Sequence, residues 1–497
     1  MARFLSLSIP FISLALAIQL TVFFSAPKHQ EPGEGCIWST PINISVSPEN
    51  HTLAGAAIGD HSGFVHAFWT EKTDAQQGDV TNYIVYRVWE GQRWSAPSDI
   101  LVATGVADAW VADVALSPDQ DRLYLLWTDG SGVNVSSADR HRATDAKAWY
   151  TVRVAAGGTL RPALTVDDQG NIHVIYTDYL TGSNVMRHIE SEDGGATWSP
   201  TTDVWTTADT GLAFDYAKLV AGQSGILHAA WQVGERDKDW LPFTVLYTHS
   251  MDGGMTWTEP MGFQSYERGY ANPELLEDSQ GRLHLFMNGA AGTLDGHFYV
   301  WSDNAGQTWS PVQPLVGYPG GRSGFPRLAA DSTGTLHVVM GSGLQDPGSS
   351  AIVISSFLAG SSWTPPTIVA TNETGGFSGD APALAITGGN QLHVFVWTQQ
   401  DPAEILYSTC LLPIPTLTPV PTPVYVAQAL PTIIATQTTL QATVSPTPNI
   451  AAVSDKENAR AQASPQYRPV VLGAILSGAL VLTVVVFSMI GTNRLRR

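Results

Sequence analysis

The chain has 497 residues, with 25 Lys and Arg set against 44 Asp and Glu, and a formal net charge of −19. That balance argues against a nucleic-acid or anionic-lipid surface, which needs clustered cations to meet phosphate. The length exceeds one small core but suits one large repeat fold, and 16 Trp argue that much of it packs.

The chain opens apolar. After Arg3 the run FLSLSIPFISLALAIQLTVFFSA reads as a secretory signal over residues 1–26, with a small-residue cut near Ser25 and Ala26. Its length also suits an uncleaved anchor.

From residue 36 to 411 one phrase recurs, a turn followed by apolar-His-apolar alternation. It reads GFVHAFW (63–69), RLYLLW (122–127), NIHVIY (171–176), ILHAAW (226–231), RLHLFM (282–287), TLHVVM (335–340) and QLHVFVW (391–397). Each copy follows a short apolar strand: AGAAIGD, ADVALSPD, PALTVDD, AKLVAGQ, PELLEDS, PRLAADS and PALAITG. Each precedes a third strand, and a Trp then leads a fourth, at Trp94, Trp149, Trp198, Trp257, Trp309 and Trp363. Period-two alternation between turn residues marks strands, and no long helical period appears. Four strands per unit, repeating about every 55 residues, describe the blades of an all-β β-propeller.

Seven units are counted, but the seventh lacks its Trp-led strand. WSTPINI at residues 38–44 precedes the first unit, so this N-terminal strand is expected to complete the last blade and leave no free sheet edge. The two cysteines agree. Aligned on the fourth unit, Cys410 falls where Ser250 stands and Cys36 where Met255 stands, facing positions of one hairpin. A disulfide between them is expected in an exported domain.

An eight-residue phrase separates third and fourth strands in three units: SEDGGATW (191–198), SMDGGMTW (250–257) and SDNAGQTW (302–309). Ser191, Asp193, Ser250, Asp252 and Ser302 can bond turn amides. Gly195, Gly254 and Gly306 permit left-handed backbone. Trp198, Trp257 and Trp309 supply rings to pack between blades. The phrase therefore shapes the blade and performs no reaction. The second unit carries SSADRHRATDAKAWY in its place. At these residues the chain resembles the Asp-box, or BNR repeat, of the sialidase (neuraminidase) superfamily. SDNAGQTW departs by Asn304, and SFLAGSSW (356–363) lacks the acid. The resemblance covers roughly residues 36 to 411. It implies a propeller of six blades, against the seven units counted here.

It also implies a mechanism: three Arg clamp a sugar carboxylate, a Tyr nucleophile is helped by a Glu, and an Asp serves as acid/base. Propeller ligands meet the loops entering each first strand and those joining strands two and three. The entering loops hold Asp108, Trp110 and Asp113; Arg161; Asp215 and Tyr216; Tyr266, Glu267, Arg268, Tyr270 and Asn272; Tyr318 and Arg322; and Asp380. By that resemblance Arg161, Arg268 and Arg322 bind an acidic sugar. Tyr266 or Tyr270 attacks with Glu267 assisting, and Asp108 or Asp113 is the acid/base. The family's early F/Y-R-I-P motif has no match; GFPRLAAD (324–331) carries similar letters but lies in the sixth unit. A second reading is a platform for extracellular glycan or protein on which Trp110, Tyr216, Tyr270 and the arginines stack and hydrogen-bond without hydrolysis. That binding reading is preferred, and a structural envelope component is the third.

Repetition of His66, His173, His228, His284, His337 and His393 on six blades reads as packing, not a metal ring. Asp and Gly in VDDQGN, EDSQGR and ADSTGT are ordinary hairpin chemistry. No cofactor, metal or nucleic acid is expected. Sequons stand at Asn43, Asn50, Asn134 and Asn372. Residues 412–468, with PIPTLTPVPTPV and VSPTP, read as an extended Pro/Thr stalk. Residues 470–490 are an uninterrupted apolar run long enough to span a bilayer. Arg494, Arg496 and Arg497 follow, so residues 491–497 are expected in the cytoplasm and the propeller outside the cell membrane.

Overall fold

The computed structural model describes residues 36–46, 51–73, 81–104, 109–157, 161–179, 184–209, 211–235, 241–263, 269–289, 296–315, 325–343, 350–358, 362–372, 382–398 and 403–417. Their alternating runs form seven antiparallel sheets, one per repeat. In the fourth, Leu212–Ala221, Leu227–Glu235, Leu241–Ser250 and Met261–Phe263 pair in chain order. The first, second, third, fifth and sixth follow the same order, and the sixth has its outer strand in two pieces, Ser362–Trp363 and Thr367–Asn372.

The first strands are His51–Gly59, Trp110–Leu116, Ala163–Val166, Leu212–Ala221, Tyr270–Glu277, Arg327–Ala330 and Ala383–Thr387. Each touches the first strand of the next blade, and the last touches the first. The fold is a closed propeller of seven four-stranded blades, one more than the six the family resemblance implies.

Closure uses the N-terminal segment. Ile42–Asn43 pairs with Ile405–Leu411, with Ile42 opposite Tyr407. Ser39 N donates to Thr409 O, and Ile44 N to Ile405 O, each at 2.9 Å. Cys36 and Cys410 form a disulfide with Cα atoms 5.7 Å apart across 374 residues of chain.

Among the described residues, buried apolar side chains gather into seven clusters, each shared by two neighbouring blades. The Trp that leads each fourth strand reaches back onto the preceding blade. Trp149 stands edge-on to Phe68, with centroids 5.7 Å apart, and Trp309 edge-on to Tyr247 at 4.9 Å. Trp363 meets Phe286 at 4.8 Å, and Trp94 meets Phe395 of blade 7 at 5.8 Å. Edge-to-face pairing sets the ring's negative face against a positive edge.

The eight-residue phrase is a side-chain-locked hairpin. Ser191 Oγ donates to Asp193 Oδ1 at 2.9 Å and accepts from Gly195 N at 2.9 Å. Thr197 N and Oγ1 donate to the two Asp193 oxygens, and Trp198 Nε1 donates to Gly195 O at 3.2 Å. Ser250, Asp252, Gly254 and Trp257 repeat these bonds. Asn304 does the work of the missing acid: its Oδ1 accepts from Ser302 Oγ and Thr308 N, and its Nδ2 donates to Thr308 Oγ1. Gly306, at φ +81°, has no room for a side chain, because a Cβ there would collide with the Tyr247 hydroxyl of the preceding blade. In blade 2 the insertion forms two short 3-10 turns, Arg140–Arg142 and Ala146–Ala148. They still give Trp149 Nε1 an acceptor, Ala143 O at 2.9 Å.

The repeated histidines are buried posts. Nδ1 of His66, His228, His284 and His393 hydrogen-bonds the hydroxyl of Tyr86, Tyr247, Tyr299 and Tyr407, at 2.7–2.8 Å. Nε2 faces the turn, toward Asp278 at 3.1 Å for His284 and Asp331 at 3.0 Å for His337. Burial holds His188 at about 3, His228 at about 4 and His393 at about 3, so these rings are neutral. Asn134 is 3% exposed inside its strand and cannot carry a glycan. Among the described residues no helix is long and apolar enough to cross a membrane, and residues 1–26 and 470–490 lie outside them.

Candidate functional site

Register fixes which residues of the seven first strands share one level of the propeller. Opposite the second residue after each His position stand Ala56, Asp113, Ala163, Lys218, Glu274, Arg327 and Ala383. All lie on first strands, which touch one another around the ring, so the seven form one layer. Blades 1, 3 and 7 contribute Ala; blades 2, 4, 5 and 6 contribute Asp, Lys, Glu and Arg.

The charged members interact across blades. Lys218 Nζ lies 2.8 Å from Glu274 Oε2, and Arg327 Nη1 lies 3.2 Å from the same oxygen. Arg327 Nη1 also donates to Pro326 O at 3.1 Å. Asp113 accepts from Val114 N at 2.9 Å and, across the blade boundary, from Leu164 N at 3.1 Å. Burial pushes its carboxyl above the usual range and the Glu274 charge adds to this, while Lys218 and the two amides pull the other way.

Two positions before Ala163, Lys218, Glu274 and Arg327 stand Arg161, Tyr216, Asn272 and Phe325, nearer the end where the first strands begin, and ring contacts bring Arg161, Tyr216 and Phe325 together. At that end the chain enters the first strands, the place where a propeller's ligands are expected. The Arg161 guanidinium carbon lies 4.0 Å from the Tyr216 centroid, 5.7 Å from Trp110 and 6.0 Å from Phe325. Tyr216 and Phe325 stack at 4.7 Å. Arg161 Nη1 meets Asp215 Oδ2 at 3.5 Å, while Asp215 Oδ1 accepts from Tyr216 N at 2.7 Å. Asn272 N donates to Gln232 Oε1 at 3.0 Å.

The backbone here is left-handed. Arg161, Tyr216 and Asn272 have φ of +32°, +53° and +50°, at matching places in three consecutive blades. Ladder irregularities fall between Val111 and Asp113, Asp215 and Lys218, and Ala271 and Glu274. Each non-glycine residue so placed costs about 1–3 kcal/mol, and such strain gathers at functional sites. Bulges re-aim side chains in the same way.

Of the residues singled out from the sequence, Trp110, Asp113, Arg161, Asp215, Tyr216 and Asn272 fall in these two groups. Tyr270 does not: it is 5% exposed and packs against Phe298 at 5.1 Å in a blade core, which takes it out of reach of a ligand. Asp108, Tyr266, Glu267, Arg268, Tyr318, Arg322 and Asp380 lie outside the described residues. Lys218, Glu274, Phe325 and Arg327 were missed. Their signal was the second residue of the phrases AKLVAGQ, PELLEDS and PRLAADS, where Lys, Glu and Arg stand in place of the Ala of PALTVDD and PALAITG, and the phrase GFPRLAAD. Among the described residues no group of three or more His, Cys, Asp or Glu side chains is placed to hold a metal ion.

No family model matches the chain, and no curated protein does. Solved structures match its fold. A family PL25 ulvan lyase superposes with a TM-score of 0.54 at 11% identity, over 73% of this chain and 95% of that one. The same kind of enzyme bound to -[GlcA(1-4)Rha3S]- gives 0.53 at 11% identity, over 74% and 95%. The NanB sialidase of Streptococcus pneumoniae gives 0.42 at 13% identity, over 76% and 70%. At these identities the two lyase superpositions show a likeness of fold alone.

Proposed function

We propose that this chain is a carbohydrate-binding propeller displayed outside a membrane, taking its ligand at the axial mouth. One observation carries the reading: Trp110, Tyr216 and Phe325 gather around Arg161 above the Asp113–Lys218–Glu274–Arg327 layer. Aromatic faces stack on the C–H faces of a sugar ring, and the charged layer beneath offers donors and acceptors to its hydroxyls. The strained backbone under Arg161, Tyr216 and Asn272 supports a site built to order. The matched lyases and the sialidase act on glycans, as their names state; they share the fold at low identity and add no residue-level support. The apolar runs at 1–26 and 470–490 and the Pro/Thr-rich stretch between 412 and 468 would supply display, with the membrane as partner, the first residues of that stretch, Leu412 to Leu417, being bonded back to the propeller. Binding of purified protein to a printed glycan array tests the reading. A glycan signal lost in Trp110→Ala supports it, and equal signals from both proteins overturn it. Membrane fractionation tests the anchor: release into the soluble fraction by high salt would contradict it.

A second reading, hydrolysis, is favoured by Asp113, whose burial-raised carboxyl suits a general acid. Turnover of a fluorogenic sialic-acid glycoside that disappears in Asp113→Asn would establish it. The implied arginine clamp gains less support, because Arg161 is already stacked on Tyr216 and paired with Asp215.

A further inference from the structure

Arg161 occupies the place that a ligand's cation would take. Its guanidinium lies within the ~6 Å reach of cation–π attraction from three rings, and the Asp215 carboxylate stands beside it. Those walls come from different blades: Trp110 from blade 2, Asp215 and Tyr216 from blade 4, Phe325 from blade 6. The cation that fills them comes from blade 3. Ring faces are negative, so a box of three aromatics and a carboxylate selects a cation over a neutral or anionic group. The guanidinium in it demonstrates that preference from within the chain. The Arg161 side chain is 36% exposed, so it borders solvent at the mouth. The whole chain carries −19, which raises the local concentration of cations further.

We infer that the mouth selects a ligand bearing a protonated amine, an amino sugar, which takes the place of Arg161 among Trp110, Tyr216, Phe325 and Asp215. The inference rests on the mouth being the carbohydrate site. It reverses the sign of the charge that the arginine-clamp reading gives the ligand. In the unliganded protein Arg161 fills the box and keeps Asp215 paired. The ligand's ammonium forms the same contacts and releases the guanidinium to solvent.

The test is titration calorimetry on the full-length protein in detergent at pH 6, with a glucosamine pentamer and its fully N-acetylated counterpart. The wild type should bind the free amine at least tenfold more tightly, with affinity falling as salt rises. Arg161→Ala, which empties the box, should bind it several-fold more tightly still. Asp215→Asn should lose most of the preference. Thermal melts of each variant establish that it is folded. Equal or stronger binding of the N-acetylated chain, or loss of amine binding in a folded Arg161→Ala, overturns the inference. If the N-acetylated chain binds better and Tyr216→Ala abolishes it, the mouth remains the carbohydrate site and only the amine specificity fails. If neither pentamer binds, the inference fails, and the glycan array separately decides the carbohydrate reading.

Discussion

Lys218 Nζ stands 2.8 Å from Glu274 Oε2, and these two residues occupy equivalent positions on adjacent blades. The repeat that puts Ala here in blades 1, 3 and 7 puts opposite charges face to face in blades 4 and 5. Arg327, from the next blade, shares the same oxygen at 3.2 Å. One carboxylate therefore holds two cations at the axis.

Glu274→Ala should leave Lys218 and Arg327 uncompensated side by side. Removing one partner of a buried pair is costly, and these side chains are 12–27% exposed, so a loss of about 1–3 kcal/mol is expected. Urea unfolding measures it. Because the residual effect is like-charge repulsion, raising salt should recover part of the loss. A variant as stable as the parent would mean that the axial layer contributes nothing.

The Asp-box hairpins should titrate late. The hydrogen bonds from Thr197 and Ser191 hold the Asp193 carboxyl at about 2, below its usual value. A carboxyl lowered by folding stabilises at pH values above its unfolded value, about 4, and that contribution disappears as pH falls from 4 to 2. Asp193→Asn should fold well at pH 7, since Asn304 makes the equivalent bonds in the next blade but one, and should lose less stability over that window. Melting temperatures at pH 7, 4 and 2.5 decide it; identical pH slopes would count against the assignment.

The buried histidines set a second, higher window. His188, His228 and His393 are held at about 3, 4 and 3 by burial, against about 6.5 in an unfolded chain. The unfolded state takes protons first as pH falls. Stability from these rings is full above about 6.5 and is lost progressively toward 4, each contributing up to about 1.4 kcal/mol per pH unit. Urea midpoints should fall between pH 7 and pH 5. A flat midpoint over that range would show that the rings are not buried neutral.

Closure of the ring rests on one short segment, Ser39 to Ser45, hydrogen-bonded to Ile405–Leu411, and on one disulfide. A loop of 374 residues corresponds to about 5–6 kcal/mol in the chain-entropy account, and native disulfides typically contribute about 2–5 kcal/mol. Cys36→Ser with Cys410→Ser should lower stability by an amount in the latter range. Hydrogen exchange should rise first in Ile405–Leu411. Uniform exchange across all blades would contradict the idea that the seventh opens first.

Much of the fold was legible because each unit repeats one alternation, and repetition multiplies a weak signal. The Trp-led strands, the packing histidines and the N-terminal closure all follow from aligning the chain on itself. Tyr270 was misread because a tyrosine in an entering loop looks like a ligand, while its register opposite Gly289 turns it into the blade core. Lys218, Glu274 and Arg327 were missed because a charge inside an apolar strand is usually read as its solvent face. In a propeller the first strand has no solvent face, so a charge there points at the axis or between blades. Phe325 and Arg327 stood in GFPRLAAD, set aside for lying in the wrong unit for the family's motif. Arg161 was singled out from the sequence, but its neighbours Tyr216 and Phe325 come from other blades, and no spacing within one unit brings them together.

The most direct test of the axial mouth is a titration of the protein with a glycan that it retains, comparing Tyr216→Ala at the mouth with Met251→Ala in the exposed second Asp-box hairpin. A mouth that stacks the sugar on Tyr216 predicts at least a tenfold loss for the first variant and no change for the second, with both variants folded. Unchanged binding by Tyr216→Ala, or an equal loss in both, would place the ligand elsewhere on the propeller.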